Sequence, residues 1–268
     1  MKYQERTYEQ GNSCVFRSTR DAFGGLSNMA SGYPVWVNGV KVPSSEALYQ
    51  ACRFPHDPDL QQEIVEQNSG MSAKMKSKSK YVDSRPDWEN VRVPVMRWCL
   101  RVKLAQNFGR FGHLLERTGE LQIVEDSKRD QFWGAVRQEN RTLVGVNALG
   151  RLLMELRGLY NSPARYHLLF VSNVDIDHFC LFGQPVRPVD ARPIFIEHLL
   201  NEWCKSELDT VDREFTRCLS KFTAALPNPA LAKPDRVPLP AFSPPAPVPT
   251  SEHTLPSLFS LDNQRNAD

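Results

Sequence analysis

The segment from Val35 to Val42 constrains the fold more than any other part of the chain. It reads Val-Trp-Val-Asn-Gly-Val-Lys-Val, so apolar residues repeat at every second position in each arm. Asn38-Gly39 at its centre is the strongest short hairpin signal, because both central residues of a type I′ turn need a positive φ. Pro43 ends the second strand, since it has no N–H to donate. The sequence therefore predicts a two-stranded hairpin.

A helix is predicted directly after this hairpin. Ser44 or Ser45 can cap it, which places Glu46 in its first turn. The apolar residues that follow at helical spacing are Leu48, Tyr49, Cys52 and Phe54. A first-turn glutamate complements the positive end of a helix and usually does no more than that, contributing roughly 0.3–1 kcal/mol. The pattern alone does not identify Glu46 as a catalyst.

The middle of the chain alternates between helical and strand-like patterns. Asp57-Pro58 opens a second helix, and apolar residues recur at helical spacing from Val91 to Ala105. A short strand at 121–124 feeds a polar loop at 125–147, and Asn147 then caps a helix that runs to Tyr160. We therefore expect a helix-rich α+β domain with a few short strands.

The last hundred residues divide at a change in proline content. Ten of the twenty prolines follow Leu226, and such a segment forms neither helix nor central strand. Before it, strands are expected at 166–171 and 179–182, and two helices between Pro193 and Leu226. The predicted division is a catalytic domain at 14–160, a C-terminal helical annex packed on it at 161–226, and an extended or disordered tail at 227–268.

Composition excludes several classes of protein. The chain has no run near the roughly 18 apolar residues that span a bilayer and no apolar signal region at its start, so no membrane association and a cytoplasmic location are expected. The six cysteines include no C-x-x-C pair, which argues against a zinc site. The formal charge of +2 is too small for a bulk nucleic-acid binder, so any such contact must be local.

Several side chains outside the first helix are candidates for chemistry. The stem of Lys103 follows an apolar helical face, where its amine is either desolvated or reaches out to water. Trp133 lies in a polar loop with no apolar face to join, which favours ligand contact, whereas Trp98 belongs to a core stripe. Four alternating lysines and Arg85 form either a phosphate-facing patch or a solvated basic face; the lysines are Lys74, Lys76, Lys78 and Lys80.

Taken together and in order, these residues resemble the NADAR (YbiA-like) family of N-glycosidases across residues 14–160. The matching pieces are Phe16-Arg17-Ser18-Thr19, Gly24 with Ser27-Asn28, Pro43-Ser44-Ser45-Glu46 with Tyr49-Gln50 and Phe54, Ala73-Lys74, Trp88, Val95-Met96 with Lys103, Thr118-Gly119, Val124-Glu125, Asp130 with Trp133-Gly134, and Asn147 with Leu149-Gly150 and 153–157. Ordered agreement of this length is far more specific than any single piece.

The resemblance implies an α+β domain that binds ADP-ribose or a related ribose phosphate and hydrolyses an N-glycosidic bond without a metal or other cofactor. By position it implies that Glu46, Asp130 and Lys103 are catalytic. The implied ligand-binding residues are Arg17, Asn28, Trp88, Trp133, Gly134 and Asn147. Cleavage of this bond builds positive charge at the anomeric carbon, which is where a carboxylate is needed.

Departures from the common family pattern bear on the substrate. The family has His after the glutamate, a second Gly after Trp-Gly and Tyr after the first Phe, where this chain has Ala47, Ala135-Val136 and Arg17. With the lysines and the annex, they favour an antitoxin of a DarT-type toxin–antitoxin system that removes ADP-ribose from guanine bases in DNA, with a DarT-like toxin as its partner. Two alternatives stay open: a metabolic N-glycosidase on riboflavin-pathway ribosylaminopyrimidine phosphates, and a non-catalytic ADP-ribose-binding module.

Overall fold

A computed structural model describes residues 4–205 of the 268-residue chain. Within them lie seven α-helices: α1 Ser45–Ala51, α2 Pro58–Val65, α3 Gly70–Lys78, α4 Trp88–Gln106, α5 Phe108–Glu116, α6 Ala148–Tyr160 and α7 Arg192–Lys205. The strands are β1 Arg6–Glu9, β2 Ser13–Phe16, β3 Val35–Val37, β4 Val40–Val42, β5 Gln122–Ser127, β6 Ala135–Arg137, β7 Thr142–Gly145, β8 Phe170–Val171, β9 Cys180–Leu181, β10 Gln184–Pro185 and β11 Val189–Asp190. The predicted α+β class is confirmed.

Five strands form the main sheet, in the order β1-β7-β6-β5-β2. β5 is parallel to both β2 and β6, and the other pairs are antiparallel. Phe16 on β2 lies beside Glu125 on β5. Because side chains alternate along a strand, Glu125 shares a face with Ile123, which is fully buried in the helical core. This register points Glu125 toward the helices.

The two edges of this sheet come from one segment of chain. β1 and β2 are separated only by the 3₁₀ turn Gln10–Asn12, yet β1 pairs with β7 and β2 pairs with β5. The sheet must therefore curl so that its opposite edges approach each other. The face turned away from the helices encloses a second, small core whose buried members are Tyr8, Val124, Ala135 and Leu143.

The helical layer is built around α4. This helix packs on α1, α5 and α6, while α1 also packs on α2 and α3, and α6 lies against β5. Gly112 of α5 allows α5 and α6 to approach closely, since a Cβ there would lie 2.2 Å from the Tyr160 ring. Among the residues described, no helix is long and apolar enough to cross a membrane.

Most of the local predictions are confirmed. Asn38 and Gly39 have φ of 50° and 81°, as the β3–β4 hairpin requires. Ser44 accepts a hydrogen bond from the Ala47 N–H and caps α1, and Asp57 caps α2 in the same way. α1 ends at Ala51, however, before the predicted Phe54.

The predicted loop at 125–147 is wrong in part. β5 continues to Ser127, and β6 and β7 both lie inside the range expected to be loop. Asn147 does precede α6, but its side chain does not cap the helix. Instead the first N–H groups of α6, from Ala148 and Leu149, donate to carbonyls at 132 and 133. The loop therefore supplies the cap through its backbone.

Residues 161–191 share a core with the helical layer. Phe179 packs edge-on against Trp98 of α4, with ring centroids 5.0 Å apart, which places Trp98 in the core as predicted. The Asn38 side chain donates to the carbonyls of Leu181 and Pro185 and accepts from the Arg187 N–H. Short strands lie inside both predicted ranges, at 170–171 and 180–181, but residues 166–169 form a 3₁₀ helix, so the first prediction is wrong for most of its length. α7 matches the first of the two helices predicted after Pro193, and the second lies outside the described residues.

Candidate active site

Glu46 lies in the first turn of α1 and is only 5% exposed despite its charge. Its backbone N–H donates to the Asn28 carbonyl at 3.0 Å, which fixes the start of the helix. The Gln50 amide donates to Glu46 Oε1 at 2.8 Å. Burial raises the pKa of the Glu46 carboxyl, and Lys74, the Gln50 hydrogen bond and Arg53 offset part of that rise. A buried first-turn carboxylate of this kind is not a solvated helix-stabilising acid.

Glu125 brings a second carboxyl to the same place. It is half-buried on the helix-facing side of β5, and its backbone N–H is held by the Asn147 side chain. Burial, together with the nearby charges of Glu46 and Asp130, raises the pKa of Glu125 to about 7, while Lys74 opposes the rise. Because the two carboxyls repel each other when both are ionised, the protonated form of Glu125 is favoured near neutral pH.

Asp130 shapes the turn that carries Trp133. One oxygen, Oδ1, accepts hydrogen bonds from the N–H groups of Phe132 and Trp133 at 3.0 and 2.8 Å. Gly134 then lies so close to β5 that a Cβ on it would be 2.6 Å from the Glu125 carbonyl oxygen. Asp130 and Gly134 therefore hold Trp133 and Glu125 in a fixed relation.

Three aromatic rings meet at α1, the helix that carries Glu46. Tyr49 of α1 contacts Trp88 and Trp133, with centroid distances of 5.0 and 5.6 Å. The Arg53 guanidinium covers Trp88 at 4.7 Å, and the Arg92 guanidinium lies 3.8 Å from the centroid of Phe132. Trp88 and Trp133, both predicted to bind ligand, are thus brought together around Tyr49, which lies one helical turn after Glu46. Flat rings and guanidinium planes of this kind can stack on a base.

Lys103 bonds two carbonyl oxygens in the loop that leads to Asn28, the residue that accepts the Glu46 N–H. It is fully buried, and its Nζ donates to the carbonyls of Gly25 and Ser27 at 2.7 and 3.1 Å. Burial lowers the pKa of Lys103 to about 7. The Lys103 stem does not reach out to water, so the desolvated alternative is the one observed. Through Ser27 this lysine anchors the loop whose next residue, Asn28, receives the Glu46 N–H.

The remaining predicted ligand residues differ in accessibility. Arg17 is exposed just after β2, next to the strand that carries Glu125. Asn28 is buried, and its Oδ1 has no hydrogen-bond partner. Asn147 is fully buried, and its amide joins Glu125 N–H to the Ile123 carbonyl, so both of its polar ends are used within the protein.

The lysine-rich segment does not form one uniform patch. Lys74 is half-buried and is the cation that acts on both Glu46 and Glu125. Lys76 forms an ion pair with Glu63 at 2.7 Å. Arg85, included in the predicted patch, is buried and pairs with Asp87, so that part of the prediction is wrong. The exposed basic residues of the segment are Lys76, Lys78 and Lys80.

Four residues that act on Glu46 were not predicted as site residues: Gln50, Arg53, Lys74 and Glu125. Gln50 and Arg53 lie one and two turns after Glu46, so helical spacing could have indicated them. Glu125 shares the helix-facing side of its strand with Ile123, a signal that requires knowing the strand. Within residues 4–205 no group of three or more His, Cys, Asp or Glu side chains is arranged to hold a metal ion.

Several buried polar atoms around Glu46 have no partner in the protein. They are Asn28 Oδ1, Ser45 Oγ, Arg53 Nε and Trp88 Nε1. An unsatisfied buried polar atom costs about 1–3 kcal/mol, so each of these atoms indicates a place where a ligand or water can bind. The site combines a carboxylate, a second carboxyl able to hold a proton, and flat aromatic rings. Such groups stabilise an electron-poor ribose and bind a base.

Comparison with known proteins identifies relatives over the same residues. A model of the NADAR domain matches residues 15–159. The N-glycosidase YbiA of Escherichia coli (strain K12) is 37% identical over 142 residues, 53% of this chain and 84% of that protein. The riboflavin biosynthesis protein VVA0006 of Vibrio vulnificus is 36% identical over 143 residues, 53% of this chain and 37% of that protein. An NMR structure of E. coli YbiA gives a TM-score of 0.47 at 34% identity, covering 55% of this chain and 84% of that one.

Proposed function

We propose, from the premise that this chain belongs to the NADAR domain family, that it hydrolyses the N-glycosidic bond between ADP-ribose and guanine bases in DNA. The broader part, an enzyme that hydrolyses N-glycosyl bonds, is supported by 37% identity to N-glycosidase YbiA over 84% of that protein. The observation that carries the proposal is the buried Glu46 carboxylate, which lies beside Glu125 and the aromatic rings.

The anomeric carbon becomes positive during the reaction, so a negatively charged group is needed beside it. The leaving base needs a proton. Ionised Glu46 stabilises the oxocarbenium-like ribose as the C1′–N bond breaks. Protonated Glu125 donates its proton to the leaving nitrogen, and water adds to C1′ and returns a proton to the Glu125 carboxylate. The products are unmodified guanine and free ADP-ribose, so atoms and charge balance.

The two other residues proposed as catalytic act through their neighbours in this scheme. Asp130 positions Trp133 and adds negative charge near Glu125, while Lys103 anchors the loop at 25–28 behind Glu46. Asn147 sets the position of Glu125, because its Oδ1 accepts a hydrogen bond from the Glu125 N–H. We propose that none of the three needs to touch the reacting atoms.

Ligand contact falls to accessible or unsatisfied groups around Glu46. Trp88 and Trp133 pack against the base or adenine, and Asn28 Oδ1 accepts from a ribose hydroxyl. Arg17 offers a guanidinium fork to the diphosphate. For a DNA substrate, Lys78 and Lys80 supply exposed positive charge for backbone phosphates. The proposed biological partner is a DarT-like toxin whose DNA modification this chain reverses.

The deciding experiment incubates the chain with DNA that carries ADP-ribosylated guanine. Release of ADP-ribose with recovery of unmodified DNA is expected. Glu46→Gln preserves shape but removes the negative charge, so turnover should fall by about 10²–10⁴-fold while ADP-ribose binding, measured by calorimetry, is kept. No release at high enzyme concentration from either DNA or small substrates, with binding intact, would select a non-catalytic ADP-ribose-binding module.

A second candidate substrate is favoured by the names of relatives. VVA0006 of Vibrio vulnificus and a chloroplastic protein of Zea mays, 30% identical over 165 residues, are both called riboflavin biosynthesis proteins. A ribosylaminopyrimidine phosphate would use the same carboxyl pair but not Lys78 or Lys80. Substituting both lysines with Glu should weaken action on modified DNA and leave a small ribosylated substrate unaffected; equal rates on DNA before and after would favour the metabolic role.

A further inference from the structure

Gln50 is a buried residue to which the proposed chemistry gives no role. It lies one helical turn after Glu46 in α1 and is 2% exposed. Its Nε2 donates to Glu46 Oε1 at 2.8 Å. Its Oε1 accepts from the Ser77 hydroxyl at 2.9 Å and from the Tyr81 hydroxyl at 3.5 Å. Three elements therefore meet at one amide: α1, α3 and the 3₁₀ turn that follows α3.

The partners of this amide determine which way it faces. An ionised carboxylate only accepts hydrogen bonds, so the opposite orientation would bring two acceptor oxygens to 2.8 Å. On the other side, Ser77 and Tyr81 both carry hydroxyl hydrogens that an oxygen can accept. Ser77 also lies 2.9 Å from the Lys74 carbonyl, so its single hydrogen is shared between the two acceptors. Tyr81 supplies a second donor to the amide oxygen.

We propose that Gln50 is a positioning residue for the reaction: the hydroxyls of Ser77 and Tyr81 hold its amide so that the N–H faces Glu46 and keeps that carboxylate ionised and in one rotamer. This inference rests on the proposed role of Glu46 in bond cleavage. Gln50 itself touches neither the ribose nor the base in this scheme. It acts on the reaction only through Glu46.

The other charged and titratable groups that face Glu46 come from every element around it. Lys74 and Arg53 favour its ionised form, and Asp130 opposes it. The titratable neighbours whose own ionisation Glu46 opposes are Tyr49, Cys99 and Glu125. Burial disfavours the ionised form of Glu46. Gln50 is the neutral group that opposes this effect, because it donates a hydrogen bond to the carboxylate. Unlike the two cations, it also fixes the direction of one carboxylate oxygen.

The test removes the hydrogen bond while keeping the side-chain volume. In Gln50→Met, the acidic limb of the kcat/KM profile should move up by about 1 pH unit, because a hydrogen bond to a charged group is lost. On the acidic limb, below both midpoints, kcat should fall by up to about tenfold with KM nearly unchanged, because the ionised fraction of Glu46 falls by that factor. Ser77→Ala and Tyr81→Phe should move the limb in the same direction by less, since the amide keeps one donor to its oxygen. Tyr81→Phe also keeps the ring under Arg53, which lies 3.7 Å from its centroid.

Coupling between the variants separates positioning from packing. In the Gln50→Met background, Ser77→Ala should cause no further shift of the limb. Gln61→Met is the matched control: Gln61 is equally buried, but bonds the Ala51 and Cys180 carbonyls and not Glu46. It should lower stability and leave the pH profile in place. An unmoved limb in Gln50→Met, or an equal shift in Gln61→Met, would overturn the proposal.

A measurement independent of turnover keeps this test distinct from that of the function. In protein labelled with ¹³C at glutamate carboxyls, the Glu46 signal is the one absent from Glu46→Gln. Its titration midpoint should rise in Gln50→Met and in Ser77→Ala. If no substrate is cleaved, the proposed function fails, and this titration still decides whether Gln50 controls Glu46. An unchanged midpoint overturns the role of Gln50 even in an active enzyme.

Discussion

At the scale of single residues, the site depends on two carboxyls with unequal surroundings. Glu46 has a donated hydrogen bond and two nearby cations to support its charge. Glu125 has Lys74 as its favourable charge and faces the repulsion of Glu46 and Asp130. The environment therefore divides the work: Glu46 is the better carboxylate and Glu125 the better acid. Such a division is how one site provides both charge stabilisation and a proton.

Glu125→Gln tests this division through stability. The folded-state pKa of about 7 lies above the unfolded value of about 4.3, so folding favours the protonated form. Below about pH 4 both states are protonated and the variant should equal the wild type. Between about pH 4 and pH 7 the wild type loses this stability, because its unfolded state ionises first, and the variant does not; above about pH 7 the difference stays constant. The difference should approach at most about 3 kcal/mol at pH 8, measured by urea denaturation.

Activity offers a second reading of the same variant. If Glu125 supplies the proton, wild-type kcat should fall as pH rises through about 7, and this alkaline limb should be absent from the slower Glu125→Gln enzyme.

A stability difference that is the same at pH 4 and pH 8 would show that Glu125 is not held in its protonated form. Asp126→Asn is a suitable control, since Asp126 is the next residue on β5 and pairs with Arg137 on the opposite face.

The sequence predicted Glu46, Trp88 and Trp133 as site residues because their motif pieces occur in a recognisable order. It did not reach Glu125 or Gln50 as site residues. Their importance depends on which strand face and which helix turn meet Glu46, and these are facts of packing across the chain. For Lys103, the sequence left burial as one of two alternatives. It could not indicate that the amine would bond carbonyls in the loop at 25–27.

At the scale of elements, one glycine controls how α5 and α6 cross. Gly112→Ala would place a Cβ 2.2 Å from the Tyr160 ring, which is buried and packs on Phe108. The variant should lose about 1–3 kcal/mol of stability. Gly109→Ala, in the same helix with nothing within 4 Å, should be neutral or gain up to about 1 kcal/mol. Thermal denaturation of both variants checks the contrast; equal losses would contradict the close crossing.

Elements with strong local signals were predictable and elements without them were not. The β3–β4 hairpin, α1, α2, α4 and α6 each carry a turn, a cap or a periodic apolar stripe. By contrast β6 and β7 are three and four residues long, and β7 pairs on its other side with β1, which lies more than a hundred positions earlier. Unlike β3 and β4, they have no Asn-Gly turn between them, so tertiary pairing decides their structure.

At the scale of the whole molecule, residues 161–191 form part of one core with the residues before them. Phe179 is 8% exposed and packs on Trp98 of α4. Phe179→Ala should therefore cost roughly 3 kcal/mol and lower the melting temperature of the catalytic core itself. Phe170→Ala, at a position 43% exposed, should cost less than about 1 kcal/mol. Separate calorimetric transitions, with that of the core unchanged by Phe179→Ala, would contradict a shared core.

The division of the chain at residues 160 and 226 stays a prediction. The described residues show contacts across the first border, such as the Gln61 side chain bonded to the Cys180 carbonyl and the Phe182 N–H. These contacts need side chains of the earlier part that look like ordinary polar residues in the sequence. The role of these side chains becomes clear only from the backbone groups that they bond, which lie more than a hundred positions away in the sequence.

The segment that supplies both edges of the curled sheet sets an order for biosynthesis. A ribosome makes β1 and β2 first, but the hydrogen bond from Tyr8 to the Val146 carbonyl spans 138 positions. At about 5–20 residues per second, the first strands wait on the order of ten seconds for their partners. In that interval the ribosome makes helices α1 to α5 and then β5, which carries Glu125, whereas α6 and α7 follow residue 146. Glu125 therefore reaches its final place only when β5, made more than a hundred residues after β2, pairs with that strand.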